Sequence, residues 1–184
     1  MTQVNLKDLI KQEYKKCAMS AEYFLSKYSY IQHPIRGKVL FELYKYQKDA
    51  LHDFDEHDNN IILKGRQIGI STLVAGYSLW LLLFHRDKNI LVIATKQETA
   101  KNLVTKVRFM HANLPVWLRG NCTTDNKLSL QFANGSQIKA VASSKDAGRS
   151  EALSLLILDE AAFIDDADII WTAASSTLST GGKA

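Results

Sequence analysis

Cysteine is scarce in this chain: Cys17 and Cys122 stand alone and form no ligand pair. That argues against a disulfide framework and fits thiols kept reduced in a cytosol-like compartment. No apolar run approaches the ~18 residues that a membrane-spanning helix needs. The stretch from Tyr77 to Phe84 is apolar but too short, and it falls where an internal helix belongs. Near the N-terminus, Lys7, Asp8, Lys11, Gln12 and Glu13 interrupt any signal-peptide core. Strong charge of either sign is also missing. A net charge of +4 permits contact with nucleic acid without arguing for it, since many enzymes are as basic. The sequence has no internal repeat and no low-complexity segment.

What is present suits a globular domain. The 184 residues, 46% apolar and 23% charged, suffice for one sizeable α/β core. Asn5 is a fitting N-cap, and Leu6, Leu9, Ile10, Cys17, Ala21, Phe24, Leu25 and Tyr28 follow at roughly helical spacing. One or two amphipathic helices are expected over 6–27, packed on the flank of the core. Pro34 and Gly37 break an extended connector over 31–43, and a helix is expected over 46–54. From Asn60 onward strands and helices alternate. Residues 60–63 read as a short buried strand, 71–84 as a helix, 90–94 as a strand and 98–112 as a helix. Such alternation implies βαβ units, hence a three-layer α/β fold around a mainly parallel sheet. Asn134-Gly135, between alternating runs at 127–132 and 137–142, predicts a hairpin. Residues 153–158 read as a strand buried on both faces, with Asp159-Glu160 at its end. A last helix over 165–178 should end in the left-handed manner at Gly181 or Gly182.

The most informative stretch is Lys64-Gly65-Arg66-Gln67-Ile68-Gly69-Ile70-Ser71-Thr72. Strand, glycine-containing turn, hydroxyl residue and helix form the setting of a phosphate cradle, where backbone N–H groups converge at a helix start. Gly65 and Gly69 offer the freedom for a tight turn. Ser71, backed by Thr72, is placed to put a hydroxyl on Mg²⁺. The usual pattern is G-x-x-x-x-G-K-[ST], yet Ile70 stands at the lysine position and Lys64 at the first glycine. A cation is needed against the β- and γ-phosphates, and Ile70 cannot supply it. A loop wrapped around a phosphate brings its ends together, so the Lys64 ammonium can reach in. Arg66, able to bind bidentately, is a second candidate. Taken alone, the loop is indistinguishable from a strand–turn–helix corner with solvent-facing Lys64 and Arg66.

A second constellation shifts the balance. Leu155-Leu156-Ile157-Leu158-Asp159-Glu160 is an apolar strand followed by two acids, a Walker B pattern. Asp159 would hold Mg²⁺, directly or through water. Glu160 would polarise the water that attacks the γ-phosphate. A pair of acids can be just a solvated strand end. A phosphate-type loop followed by such a strand, within one α/β pattern, argues for ATP and Mg²⁺. Gln47, upstream of the loop, offers a donor and an acceptor to an adenine edge; alone it would read as a helix-surface glutamine. Arg149, on the turn Ala147-Gly148-Arg149-Ser150, is placed to act as a finger on the γ-phosphate, within the chain or across a subunit contact. Its bland alternative is an ordinary surface arginine.

With these blocks assembled, the sequence from Leu40 onward resembles the N-terminal ATPase domain of the large terminase subunit of tailed bacteriophages. The resemblance rests on Leu43-Tyr44-Lys45-Tyr46-Gln47, on Gly65-Arg66-Gln67-Ile68-Gly69, on the run from Ala142 to Ser150, and on Leu158-Asp159-Glu160-Ala161-Ala162-Phe163. Helicases share the loop and the acids but not the last two blocks. The resemblance implies a P-loop fold of the additional-strand, catalytic-glutamate type over 41–184, behind a helical arm and connector over 1–40. It implies a motor that hydrolyses ATP to drive double-stranded DNA into a procapsid. The implied setting is the host cytoplasm and, transiently, the procapsid portal. The implied partners are double-stranded DNA, the portal protein, the small terminase subunit and further copies of the chain in a ring, with no membrane.

On the same footing, ATP would be bound by Gln47, Lys64, Gly65, Arg66, Gln67, Ile68, Gly69, Ile70, Ser71 and Thr72. Ser71 and Asp159 would hold Mg²⁺. Glu160 would be catalytic, with Arg66 or Arg149 as the arginine finger. Two departures stand out. Many members have lysine where Ile70 stands, but some carry it at the start of the loop, as at Lys64, so activity is still expected. The next strand of the family, which lies between the loop strand and the Asp159 strand, has no counterpart before Ala184, nor has the nuclease domain's acidic cluster. No nuclease activity is therefore expected of this chain, and the fold is expected to be incomplete at its C-terminus, with a central gap in the sheet or a rearranged sheet. The rival readings are a helicase-like DNA translocase and a module that binds nucleotide with little turnover.

Overall fold

The computed structural model describes residues 5–144, 152–178 and 181–184. Two helices open the chain, α1 (Leu6–Met19) and α2 (Ala21–Tyr28). The Asn5 side chain caps α1 by accepting from the Lys7 N–H, and Ser20 caps α2 by accepting from the Tyr23 N–H. Glu13 ties the pair together: it accepts from the hydroxyls of Tyr23 and Tyr28 and is ion-paired with Lys16 and Lys27. Lys16 first, then Lys27 and the two tyrosines, hold its carboxyl well below the usual carboxylate range. The expected connector is a hairpin instead. β1 (Tyr30–His33) pairs antiparallel with β2 (Gly37–Leu40), with Gly37 left-handed at φ 68°.

The remaining elements are α3 (Lys45–Glu56), α4 (Ile70–Phe84), β3 (Asn89–Ala94), α5 (Gln97–Ala112), β4 (Cys122–Asn126), β5 (Ser129–Phe132), β6 (Gln137–Ala142), β7 (Leu155–Asp159) and α6 (Ala167–Leu178). The main sheet has the order β4-β5-β6-β3-β7. Its centre is parallel, with β3 between β6 and β7, and β4 and β5 add an antiparallel edge. Asn134-Gly135 turns the chain between β5 and β6 as predicted, with Gly135 at φ 85°. The Asn134 amide also donates to the carbonyls of Leu82 and His85, tying this turn to the C-terminal end of α4.

Strand β3 separates the layers. Alternate side chains of a strand point to opposite faces. Ile90, Val92 and Ala94 join the core built with α4 and α5, while Leu91 and Ile93 pack with Ile170 and Ala174 of α6. The result is the expected three-layer α/β arrangement. The N-terminal helices belong to the first core: Cys17, Phe24 and Leu25 are fully buried in it, and the Trp80 indole donates to the Cys17 carbonyl at 2.8 Å. Among the described residues no helix is long and apolar enough to cross a membrane.

The expected strand over 60–63 is not formed. Ile61 and Leu63 are fully exposed, at 100% and 102%. The physical reason is the absence of a neighbour, since a strand exists through its ladder. Only the start of one is present. Ala184 donates to the Asp58 carbonyl at 2.7 Å, and the Asn60 N–H donates to the Ala184 carbonyl at 2.8 Å. On the other side, the Lys183 N–H donates to Ser154 at 3.0 Å, and the Leu156 N–H donates to Lys183 at 2.8 Å. Residues 183–184 thus lie between residues 58–60 and β7, where the gap was expected, and fill only its first rung. Gly181 is left-handed at φ 98°, and the N–H groups of Gly181 and Gly182 both bond to Leu178, so α6 ends as predicted.

Because Phe24 is buried in the same core as α4, Phe24→Ala should lower the stability of the whole domain by about 3–5 kcal/mol. A urea midpoint that stays at the wild-type value would show that the N-terminal helices fold apart from it.

Candidate functional site

Open parallel sheets present their ligands at the carboxyl ends of their strands. Here Ala142, Ala94 and Asp159 are paired across β6, β3 and β7, so the three strands end level. Two ends of the 64–72 loop meet at that edge. The Lys64 ammonium donates to Ser71 Oγ at 3.4 Å and lies 3.7 Å from Asp159 Oδ1. A lysine from the start of the loop, a hydroxyl from the first turn of α4 and a carboxylate from the end of β7 therefore share one point. The pair is mostly shielded, with the Asp159 side chain 15% exposed and Lys64 30%. Helix α4 opens toward the loop with no side-chain cap, its Gly69 N-cap carbonyl accepting from Leu73 at 2.9 Å. The first-turn N–H groups of such a helix lack intrahelical acceptors and are a ready site for an anion.

The loop differs from expectation in how it turns. Gly69 is left-handed at φ 80°, but Gly65 is not in that region and has open space where a Cβ would sit. Gln67 takes the second left-handed position, at φ 61°. Arg66, Gln67 and Ile68 form the exposed tip, and Thr72 is half-buried in the first turn of α4. Ile70, at the usual lysine position, is only 6% exposed and belongs to the main core. It serves packing, while the Lys64 ammonium stands beside Ser71 and Asp159.

Gln47 is buried between α3 and the loop. It is 1% exposed, its carbonyl accepts from the Tyr44 N–H at 3.0 Å, and its amide donates to the Ile68 carbonyl at 3.4 Å. Tyr46 Oη donates to the same carbonyl at 2.6 Å. Gln47 is thus a strut from α3 to the loop. The signal for this was readable: a glutamine three residues after the N-cap reaches back to the cap N–H. The approach is close, since a Cβ on Gly69 would lie 2.8 Å from Gln47 Nε2. Beside the strut, the rings of Tyr44 and Tyr46 stack at 5.5 Å and 10°, leaving an exposed flat surface.

Glu160 directly follows Asp159 and is exposed. Its backbone is left-handed at φ 55°, and its carbonyl accepts from Phe163 at 2.9 Å, starting a short 3-10 turn over Ala161–Phe163. A non-glycine residue held this way costs of order 1–3 kcal/mol. Ser143 leaves β6 at the same edge, donating from its N–H to Ala94 at 2.9 Å. Arg149, six residues on, lies outside the described residues. Among the described residues no three His, Cys, Asp or Glu side chains cluster as a metal site.

The sequence profile of the family described as "Terminase large subunit, T4likevirus-type, N-terminal" matches residues 61–184. Among solved structures, the fold is similar to the HK97 bacteriophage large terminase, with a TM-score of 0.68 and 22% identity over 86% of this chain and 35% of that one. It is also similar to the Thermus phage P74-26 large terminase ATPase domain, with a TM-score of 0.61 and 21% identity over 78% of this chain and 63% of that one. A third likeness is to a large terminase from a thermophilic bacteriophage, solved in complex with ADP, with a TM-score of 0.58 and 15% identity over 77% of this chain and 37% of that one. The chain spans less than two thirds of each of these solved chains.

The two loop glycines should respond differently to a methyl group. Gly69→Ala should cost about 1–2 kcal/mol through its left-handed backbone and its contact with Gln47. Gly65→Ala should be neutral or stabilising by up to about 1 kcal/mol. Denaturant midpoints of the two variants check this, and equal losses would contradict the loop geometry.

Proposed function

The chain belongs to the T4-type terminase large subunit N-terminal family, and from that premise we propose that it is the ATP-hydrolysing part of a motor that drives double-stranded DNA into a procapsid. The observation that carries this reading is the convergence of Lys64, Ser71 and Asp159 at the uncapped start of α4. The phosphates of ATP would lie against the first-turn N–H groups of α4, where backbone donors and the helix dipole favour an anion. Lys64 would then turn from Asp159 to the β- and γ-phosphates, a short movement for a flexible four-carbon stem. The donors fit a divalent cation: the Lys64 ammonium already stands beside both Ser71 Oγ and Asp159 Oδ1. Those two oxygens would hold Mg²⁺, which supplies charge stabilisation to the phosphate oxygens. Glu160 would orient the attacking water and take its proton. Arg66 or Arg149 would meet the charge that develops on the γ-phosphate. The Tyr44–Tyr46 ring face, joined to the loop through Ile68, offers a surface for the base.

The low-turnover alternative loses its motive at Ile70, since that side chain packs in the core and Lys64 brings a cation to the loop. The family membership favours the terminase reading over a helicase-like translocase. On this reading the partners are double-stranded DNA, a portal protein, a small terminase subunit and further copies of the chain in a ring. The setting is the host cytoplasm and the procapsid portal.

ATP binding and steady-state turnover test the assignment. Lys64→Ala should lower kcat/KM by at least about 100-fold, the scale of losing one preorganised charge donor. Glu160→Gln should keep ATP affinity while slowing hydrolysis by roughly 10²–10⁴-fold, the range of lost general-base catalysis. Ile70→Val should leave turnover within a few-fold of wild type. Wild-type turnover in Lys64→Ala would overturn the role given to the relocated lysine.

A further inference from the structure

The β1–β2 hairpin has one covered face and one open face. Ile31 packs on the main core, and β1 lies against α5. Side chains alternate along a strand, so the other face carries Tyr30 and Gln32, set across from Leu40 and Lys38. Gln32, Lys38 and Leu40 are exposed. The Lys38 ammonium sits over the Tyr30 ring, 5.0 Å from its centroid. At the tip, His33 Nδ1 accepts from the N–H groups of Ile35 and Arg36, both at 3.2 Å, which fixes the turn that holds the exposed Arg36.

Leu40 carries this face into a hollow of about 530 Å³ between α2 and α3. Ser20, Ser26, Lys27 and Lys48 line it together with Leu40, and Glu22 is the acid among its lining residues. The Lys48 ammonium lies 2.9 Å from Glu22, with both side chains nearly half exposed. An ion pair that open is weak, so Lys48 can trade its partner for another anion. Lys27 shares Glu13 with Lys16 and keeps 49% of its side chain exposed. From Tyr23 to Phe41 the chain has no acidic residue. Arg36, Lys38, Lys27 and Lys48 thus lie along one surface that runs from the hairpin tip to the hollow.

The donors on this surface suit phosphates better than another protein. Protein interfaces are depleted of lysine and built around an apolar centre. Here the apolar part is Leu40, 37% exposed, among four cations, two serine hydroxyls and the Gln32 amide. Lysine, arginine, serine and glutamine are the side chains that meet the phosphates of a nucleic acid. From Arg36 to Leu40 the ribbon spans about 13 Å, at roughly 3.4 Å per residue. A DNA strand advances ~3.4 Å along its axis per phosphate, so tip and hollow can hold separate phosphates of one backbone. We propose that the open face of the β1–β2 hairpin and the hollow between α2 and α3 form a contact surface for the phosphate backbone of double-stranded DNA. The choice of a duplex rests on the packaging-motor reading, whereas the surface is independent of the nucleotide site. Contact through phosphates carries no base readout, which suits a duplex of any sequence. Lys48 directly follows Gln47 in α3, so DNA seated there lies one residue from the strut to the phosphate loop.

Fluorescence anisotropy of a labelled DNA duplex, without nucleotide or Mg²⁺ and across about 50–200 mM salt, tests the surface. Each cation that neutralises a phosphate contributes about −0.9 to the slope of log Kobs against log[salt]. Arg36→Ala with Lys38→Ala should therefore flatten the slope by about 2, and adding Lys48→Ala by about 3 in all. The losses should be equal on two duplexes of unrelated sequence. Arg36→Lys with Lys38→Arg keeps both charges and should keep the wild-type slope. Lys96→Ala with Lys127→Ala removes two exposed lysines elsewhere and should leave the slope unchanged. Should an alanine variant not fold, glutamine at the same positions gives the same comparison. Absence of duplex binding by the wild-type chain, an unchanged slope in the triple variant, or an equal loss in the control pair overturns the inference. If the hairpin variants keep the slope but lose self-association in sedimentation velocity, the surface is a contact between copies and the inference fails. No nucleotide enters the experiment, so its failure leaves the ATPase reading standing, and a failure of ATP turnover leaves its result untouched.

Discussion

The ion pair between Lys64 and Asp159 can form because β3, fully buried along most of its length, holds β7 beside it in parallel register. That register brings Asp159 level with Ala94 and Ala142 at the carboxyl edge of the sheet. Helix α4 shares the core on one side of the sheet, and its uncapped N-terminus reaches the same edge through the Lys64–Ser71 contact. A slip of one residue in β7 would move Asp159 away and turn Leu156 out of its layer, because side chains alternate faces along a strand. The chemistry of the edge and the packing of the core are thus set by one alignment.

Much of this was legible in the sequence because the signals were local. The helices over 45–56, 70–84 and 97–112 and the hairpin at Asn134-Gly135 follow from periodicity, caps and turn chemistry. The apolar-then-acidic run ending at Glu160 marked β7 for the same reason. Strand β4 was not readable: Cys-Thr-Thr-Asp-Asn is a polar edge segment that pairs because β5 is there. Residues 60–63 failed in the opposite sense. Their composition is that of an inner strand, but a ladder needs a partner, and only the first rung is supplied by Ala184.

At the site, the residue types were readable and the division of labour was not. That the Lys64 ammonium could reach into the loop followed from loop closure; the structure sets it 3.4 Å from Ser71 Oγ and 3.7 Å from Asp159 Oδ1. That Ile70 packs in the main core needed the structure, because an isoleucine at that position reads equally well as a lost function. Gln47 shows the limit in another way. Its donor and acceptor suit a base edge, and the fold also bonds them to Tyr44 and Ile68, which composition alone does not reveal. Gln67 replaces Gly65 as the left-handed residue, which no composition rule would have selected. The charge and the scaffold of the loop thus come from different residues than the usual pattern assigns.

The claim that the rest depends on is that Lys64 exchanges a carboxylate for phosphate when nucleotide binds. A crystal structure of the protein with Mg²⁺ and a non-hydrolysable ATP analogue measures this directly. The account predicts the Lys64 ammonium within about 2.7–2.9 Å of a β- or γ-phosphate oxygen, the length of a charge-assisted hydrogen bond. It also predicts the metal beside Ser71 and Asp159. A structure in which Lys64 stays on Asp159 or points to solvent while the phosphates are bound without it would contradict the account.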